Sequence, residues 1–295
     1  MLGLDFGDPH RSIEAVFLHA NGFCASAYRT MLALVAGAHR VVALDQRGHG
    51  RSTLPADPHG RGDWIDLRDD LLAALDALGG GPVVLSGHSM GGTVSLLAAV
   101  AQPQRVKALV LFEPVLLHPD TVVQRHQWKP GDPWPDLPLV QGALRRRAVF
   151  ESRATAEKAL AGRGAFKTWP SAAVSDYCLD GFREEPAGGV RLACAPTWEA
   201  SSYCAQGHDA WGALAQVRCP VTIVCAASGS TCDEGTALAV ARERPLISLS
   251  VAPGTTHFVP QERPDLAAAA LASVLRSLAS SPEQGPPAER ASETA

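Results

Sequence analysis

Apolar residues in this chain fall into short runs that alternate with longer stretches of helical periodicity. Each run has the length of a buried strand, and the runs occupy residues 13–18, 40–44, 82–86, 106–112, 217–226 and 246–251. The clearest helix spans residues 63–78, where apolar positions recur every three or four residues and three glycines follow. Strands that alternate with helices form right-handed βαβ units. The pattern therefore predicts an α/β fold with a doubly wound, mostly parallel sheet.

One long stretch, residues 114–210, lacks this alternation. Prolines, aromatic residues and short helical patterns dominate it, and no clear strand is evident. It predicts a mainly helical cap domain, inserted into a core made of residues 1–113 and 211–295. The run Arg145-Arg146-Arg147 in this stretch is interpreted as a solvated helix face. Residues 281–295 are polar and rich in proline, which predicts a disordered tail.

Composition narrows the class of protein. A formal charge of −4 on 295 residues gives no basic footprint for nucleic acid and no polybasic membrane patch. No apolar run reaches the ~18 residues that span a bilayer, and no signal peptide is visible. The seven cysteines are odd in number and scattered. This pattern argues against a disulfide framework or a zinc site and favours a location in the cytoplasm.

We expect no metal and no cofactor. The oligomeric state is left open, with a dimer as one option.

Residues 82–92 read PVVLSGHSMGG: a short apolar run, a glycine-rich turn and the start of a helix. The turn matches G-x-S-x-G, with Ser89 between Gly87 and Gly91. A serine on a sharp strand-to-helix turn needs small neighbours, because bulk there would collide with the turn. The turn also directs helix N–H groups toward a developing oxyanion. Ser89 is therefore the predicted nucleophile, and Met90 supplies one predicted oxyanion donor.

Four motifs in chain order resemble those of the α/β-hydrolase superfamily with a cap domain. They are HANGF at 19–23, DQRGHGRS at 45–52, GHSMGG at 87–92 and GTTHF at 254–258. The resemblance covers nearly the whole chain and implies that His257, in the loop after the last strand, is the general base. It also implies a second oxyanion donor at Asn21, with Gly22 next to it. Two departures are Ala20 in place of a common glycine and the few residues before the HANGF strand, so that we expect the usual N-terminal β-hairpin to be shortened or absent.

Two carboxylates compete for the role of the acid that orients His257. Most relatives in the superfamily place an Asp after the strand that matches residues 221–225, a position that falls near Gly229 here. Asp233 comes several residues later and resembles a helix-start residue that complements the helix dipole. Glu113 directly follows the strand after the elbow helix, at the sheet edge where sites gather. Haloalkane dehalogenases and zearalenone lactonases of this superfamily place a Glu there. We predict Glu113 as the acid, with Asp233 as the alternative.

A serine nucleophile attacks a carbonyl carbon and forms an acyl-enzyme that water clears. Dehalogenases and epoxide hydrolases of this fold use an Asp nucleophile, so Ser89 argues against both activities. The aromatic cap favours a small apolar ester or lactone as substrate. Alternatives are C–C bond or thioester hydrolysis, acyl transfer, and a ligand-binding receptor with a weakly active triad. The predicted substrate-binding residues are Phe23, His88, Trp128, Trp134, Trp169 and Trp198.

Overall fold

The computed structural model describes residues 1–118, 120–121, 129 and 131–280. Trp128 and the predicted disordered tail, residues 281–295, lie outside the described part of the chain. The strands are β1 Leu2–Phe6, β2 Ala15–Leu18, β3 Val41–Asp45, β4 Val83–His88, β5 Val106–Phe112, β6 Val149–Phe150, β7 Phe182–Glu184, β8 Val190–Leu192, β9 Val221–Ala226 and β10 Ile247–Ala252. The α-helices are α1 Arg29–Ala36, α2 Ile65–Ala77, α3 Met90–Ala101, α4 Pro138–Leu144, α5 Arg153–Leu160, α6 Ser171–Asp180, α7 Pro196–Cys204, α8 Ala210–Gln216, α9 Glu234–Glu243, α10 Val259–Glu262 and α11 Pro264–Ser280.

Seven strands form one sheet in the order β1-β3-β2-β4-β5-β9-β10. β1 is antiparallel to β3, and the other neighbouring strands are parallel. This arrangement confirms the predicted α/β fold with a mostly parallel sheet. β1 was not predicted, because it is an edge strand whose Leu2, Gly3 and Asp5 are exposed and which therefore lacks an apolar run.

The central strands consist mostly of buried apolar residues because both faces of the sheet are covered. In β2, Phe17 packs in a cluster with α1 and α11, whereas Val16 and Leu18 pack on the opposite face with α2 and α3. All three side chains are fully buried, and burial of each stabilises the fold by about 1.5–3 kcal/mol. The sheet is thus a well-packed platform for groups at its carboxyl edge.

The end of α2 follows the glycine signal in the sequence. Gly79 and Gly80 adopt φ angles of 108° and 76°, in the left-handed region that glycine favours. The Gly80 N–H donates to the Leu75 carbonyl at 3.2 Å. This bond satisfies a carbonyl that the helix end would otherwise leave without a donor.

The stretch between β5 and β9 contains α4 to α8 and a separate sheet of three strands in the order β6-β8-β7. These strands correct the expectation that the stretch holds no clear strand. Each is only two or three residues long, which is too short for an alternating pattern to register. The turn between β7 and β8 uses Gly188 and Gly189, at φ angles of 93° and 83°.

The seven cysteines, all within the described ranges, form no disulfide bonds and are buried. Burial raises the pKa of the Cys178 thiol to about 12 and that of Cys219 to about 11. Both thiols therefore stay protonated and unreactive at neutral pH. Across the described ranges, the helices are too short or too polar for any of them to cross a membrane.

Candidate active site

The turn between β4 and α3 consists of Ser89 alone. Ser89 has a φ of 53° and a ψ of −121°, a strained conformation for a residue with a side chain. A Cβ at Gly91 would lie 2.4 Å from the Leu18 carbonyl oxygen, so only glycine fits there. The Ser89 N–H donates to the Phe112 carbonyl at 2.9 Å. The turn is therefore fixed to β5, and its strain is held by the surrounding sheet.

Glu113 follows β5 and, like Ser89, has a positive φ, here 50°. Its side chain is fully buried. Oε1 accepts hydrogen bonds from the Ala226 N–H at 2.5 Å and from the Ser230 hydroxyl at 2.7 Å. Oε2 accepts from the Thr231 N–H at 3.0 Å and lies 3.1 Å from Nδ1 of His257. A buried carboxylate is costly unless its oxygens have donors, and both oxygens have them here. The structure thus brings Glu113 and His257 together.

Thr231 contacts both of these residues and was not singled out from the sequence. Its hydroxyl donates to the Glu113 carbonyl oxygen at 3.0 Å and lies 3.3 Å from His257 Nδ1. The loop of residues 227–233 is where most relatives in the superfamily carry their acid. In this chain the loop instead supplies the hydroxyl of Ser230 and the N–H of Thr231, which hold Glu113 in place.

Asp233, the alternative acid, is the N-cap of α9. Its Oδ2 accepts a hydrogen bond from the Thr236 N–H at 3.0 Å and another from the Thr236 hydroxyl. The hydrogen bonds from the Thr236 side chain and backbone lower the pKa of Asp233. Asp233 therefore acts on the end of a helix, whereas Glu113 is the carboxylate in contact with His257.

His88, predicted to bind substrate, is fully buried beneath the His257 loop. One ring nitrogen, Nε2, lies 2.7 Å from the His257 carbonyl oxygen, and Nδ1 lies 2.7 Å from the Tyr28 hydroxyl. Burial, reinforced by the neighbouring His257, lowers the pKa of His88 well below 6.5. Neutral His88 with its proton on Nε2 satisfies both contacts. The prediction is corrected accordingly: His88 supports the loop of His257 from below.

Met90, Asn21 and Gly22 were predicted for the oxyanion hole. The structure places the first two, but not Gly22, at the cavity that Ser89 lines. Met90 is the first residue of α3, so its N–H has no carbonyl partner within the helix. Asn21 and Met90 line the same cavity as Ser89. The Asn21 side chain is engaged elsewhere, because Nδ2 donates to the Glu199 carbonyl at 3.0 Å. The Gly22 N–H donates to Nε2 of His49 at 3.0 Å, so this amide holds its loop and is not directed at the serine.

A family model described as the alpha/beta hydrolase family matches residues 15–270. The chain belongs to the alpha/beta hydrolase family. It is 23% identical over 261 residues to a 2-(acetamidomethylene)succinate hydrolase of Mesorhizobium japonicum, a match that covers 88% of this chain and 87% of the relative.

Solved structures support the same fold. The structure of an E-2-(acetamidomethylene)succinate hydrolase superposes with a TM-score of 0.74 at 22% identity, covering 93% of this chain and 94% of that one. A thioesterase domain from the curacin biosynthetic pathway gives a TM-score of 0.70 at 20% identity, with 93% and 94% covered.

In this α/β hydrolase, Ser89 and His257 line one cavity of about 640 Å³. Phe23, predicted to bind substrate, forms part of the wall, and its ring centroid lies 5.9 Å from Phe258 and 6.0 Å from Phe166. The sequence did not single out several other apolar lining residues. They include Trp64, Val115, Leu117, Leu139, Leu160, Phe166 and Phe258.

Of the tryptophans predicted to bind substrate, Trp134, Trp169 and Trp198 belong to the described residues, and they do not line this cavity. Trp169 lies behind the wall, with its ring centroid 4.9 Å from that of Phe23. Trp198 is buried against Arg61, whose guanidinium carbon lies 4.1 Å from the indole centroid. Trp134 packs against a small cluster between α4 and α7. These rings therefore stabilise the stretch between β5 and β9 and its contact with the core.

An ion pair of Arg146 and Glu199 forms a polar part of the cavity wall. Arg146 also donates to the Tyr177 hydroxyl at 3.1 Å. Burial disfavours the charged guanidinium, but Tyr177 and Glu199 outweigh this effect and raise the pKa of Arg146. Arg146 is thus turned inward and paired, which corrects its interpretation as part of a solvated helix face.

Proposed function

We propose that this chain is a serine hydrolase that cleaves a carboxylic ester or lactone with an apolar body through a triad of Ser89, His257 and Glu113. The observation that supports the proposal most is the 3.1 Å contact between His257 Nδ1 and Glu113 Oε2, at a cavity that Ser89 also lines. The strained conformation of Ser89 is a second support, because such strain persists where surrounding structure enforces it.

Acylation begins when Ser89 Oγ attacks the carbonyl carbon and His257 Nε2 accepts the hydroxyl proton. Glu113 keeps the other proton on Nδ1 and stabilises the imidazolium that forms. The carbonyl oxygen becomes an oxyanion, for which the backbone N–H groups of Met90 and Asn21 are the donors. The tetrahedral intermediate then collapses. The alcohol leaves with the proton from His257 Nε2, and the acyl group stays on Ser89.

Deacylation repeats these steps with water. His257 Nε2 takes a proton from water as the oxygen attacks the acyl carbon, and it returns that proton to Ser89 Oγ when the ester bond breaks. The carboxylic acid leaves and Ser89 regains its hydroxyl. All proton transfers run through one imidazole whose orientation depends on Glu113.

The stretch between β5 and β9 acts as a cap that selects the substrate. Leu139, Ala143 and Phe166 from this stretch line the cavity opposite Phe23 of the core. Pockets with mostly apolar walls and a few polar groups bind apolar bodies and fix their orientation through those groups. The acyl or lactone body therefore lies against these side chains while the carbonyl faces Ser89.

The test is turnover of a panel of p-nitrophenyl esters, aryl and macrocyclic lactones and acyl thioesters, with products read by mass spectrometry. We expect hydrolysis of an ester or a lactone, and Ser89→Ala should lower kcat by roughly 10³–10⁶-fold. Ser95→Ala is the matched control, because this buried serine of α3 donates to the Gly91 carbonyl at 2.8 Å and is not among the described residues that line the cavity. If only thioesters were turned over, the cleaved bond would be a thioester and not a carboxylic ester or lactone. A Ser89→Ala variant that kept more than a tenth of the rate would refute the triad.

A further inference from the structure

Three charged side chains besides the triad line the cavity within the described ranges: Arg146, Glu199 and Arg163. Arg146 and Glu199 neutralise each other. Arg163 is exposed to the cavity and solvent, and its guanidinium has no ion pair or hydrogen bond with a described residue. Among the described residues, the wall of the cavity therefore carries one uncompensated positive charge.

The backbone of Arg163 is held in a defined turn after α5. Its N–H donates to the Leu160 carbonyl at 3.0 Å, and its carbonyl accepts from the Phe166 N–H at 2.9 Å. The flanking Gly162 and Gly164 adopt φ angles of 70° and 54°, which glycine tolerates without strain. The guanidinium therefore extends from a fixed point.

A row of aromatic rings connects this turn with the catalytic loop. Phe258 directly follows His257, its ring centroid is 5.9 Å from Phe23, and Phe23 is 6.0 Å from Phe166. These three rings all line the cavity. An apolar chain that lies along them would have its reacting carbonyl at the His257 end and its other end near Arg163.

We propose that Arg163 binds a carboxylate at the far end of the substrate, so that the preferred acyl group is an apolar chain that ends in a free acid. This inference rests on the proposed function and names its substrate class. Guanidinium groups bind carboxylates through two parallel hydrogen bonds, and the charge strengthens both. One uncompensated charge matches one carboxylate. A fully neutral substrate would leave the guanidinium without a partner.

The test compares p-nitrophenyl half-esters of succinic, adipic and sebacic acid with the same compounds capped as methyl esters. The two members of each pair have nearly the same length and differ in charge. Variants are Arg163→Gln, Arg163→Lys and Arg145→Gln. Arg145 is the matched control, because it lies in the same stretch, is exposed and has no described ion pair, but is absent from the cavity wall.

For the half-ester of the best length, we expect Arg163→Gln to lower kcat/KM by about 10–100-fold, chiefly through KM, as for loss of a charged hydrogen bond. The methyl-capped ester should change less than about threefold, Arg163→Lys should retain part of the preference, and Arg145→Gln should change neither substrate. The preference should also shrink as salt is raised, because the site is exposed and screened. A wild-type enzyme without preference for half-esters, or a preference that survives Arg163→Gln, overturns the inference while leaving the proposed function intact.

A second measurement removes the dependence on turnover. Binding of adipate and sebacate to the Ser89→Ala variant is measured by calorimetry, with and without Arg163→Gln. Binding that Arg163→Gln weakens at least about tenfold supports the inference. No binding, or binding that is insensitive to Arg163→Gln, contradicts it. Failure of the proposed function is distinct, because then neither member of any ester pair is hydrolysed and Ser89 is not acylated.

Discussion

Glu113 Oε2 lies 3.1 Å from His257 Nδ1, although 144 residues separate the two in the sequence. The contact forms because β5 and β10 both end at the carboxyl edge of the sheet, with β9 between them. The loop after β9 closes around the pair through Ser230 and Thr231. The sheet order therefore determines which carboxylate reaches the histidine.

Replacing Glu113 by Gln should separate the two candidate acids. The amide keeps the size of the side chain but no longer holds the proton on Nδ1 of His257. An equivalent Asp-to-Asn change in a serine protease lowers kcat by about 10⁴-fold, and we expect a loss of that order or somewhat less. Asp233→Asn is the control, since Asn caps helices as well as Asp, and stability should fall by less than about 1 kcal/mol. Kinetics and circular dichroism are measured for both. Loss of turnover in Asp233→Asn with an active Glu113→Gln would reverse the assignment.

Acid should destabilise the fold through its buried histidines. The pKa of His88 is lowered well below 6.5 by burial and by His257, and burial is also the main cause that lowers the pKa of His19 and His49. Above pH 6.5 these three histidines are neutral in both the folded and the unfolded state. As pH falls below 6.5, the unfolded state binds protons that the folded state does not, so stability is lost by up to about 1.4 kcal/mol per histidine per pH unit.

His88→Gln tests this linkage at one site. Gln offers an N–H for the His257 carbonyl and an oxygen for the Tyr28 hydroxyl but does not titrate. The melting temperature should fall less steeply with decreasing pH in the variant than in the wild type. Parallel curves from about pH 8 to about pH 5 would show that His88 does not contribute to the acid sensitivity.

The elbow should not accept a methyl group at Gly91. A Cβ there would meet the Leu18 carbonyl at 2.4 Å, and backbone has little room to move between β2 and α3. We expect Gly91→Ala to lower the free energy of unfolding by at least about 1–3 kcal/mol and to reduce turnover. Gly37→Ala is the control, because its φ is −64° and a Cβ meets nothing within 4 Å. That change should stabilise the fold by about 0.4–1 kcal/mol. Thermal unfolding of the two variants gives the comparison, and equal melting temperatures would contradict it.

Chain-length preference should respond to Trp64 and not to Trp134. Trp64 lines the cavity and its Nε1 donates to the Ser202 carbonyl at 3.1 Å. Trp64→Phe removes part of the wall, so the optimum on a series of p-nitrophenyl esters should move to longer or bulkier acyl groups. Trp134→Phe changes a ring outside the described wall and should leave the optimum in place. If both profiles match the wild type, the acyl group occupies a different part of the cavity.

The core of the fold was predictable because strands covered on both faces form short, mostly apolar runs, as in Phe17 and its neighbours in β2. The same logic placed Glu113 at the end of β5, beside the loop of His257. The short strands of residues 149–192 were missed, because two or three residues carry no periodicity.

Side-chain direction was the main quantity that the sequence did not reveal. An aromatic-rich stretch predicts rings near a site but not which of them face it, so Trp169 and Trp198 were assigned to the cavity while Trp64 and Phe166 were not. His88 was predicted to contact the substrate, yet alternate residues of a strand point to opposite faces and its ring is buried against Tyr28 and the His257 loop. The pairing of Arg146 with Glu199 depends on how α4 and α7 meet, which no local pattern encodes.

The most direct measurement is the rate at which a fluorophosphonate modifies Ser89, followed by intact mass and peptide mapping. An activated serine forms a stable phosphonate ester because the reagent mimics the tetrahedral intermediate. The triad predicts rapid, single-site labelling of the wild type at Ser89, no labelling of Ser89→Ala, and labelling of Glu113→Gln slowed by orders of magnitude, with Asp233→Asn near the wild-type rate. A folded wild-type protein that is not labelled at Ser89, or one that is labelled equally fast after Glu113→Gln, would contradict it.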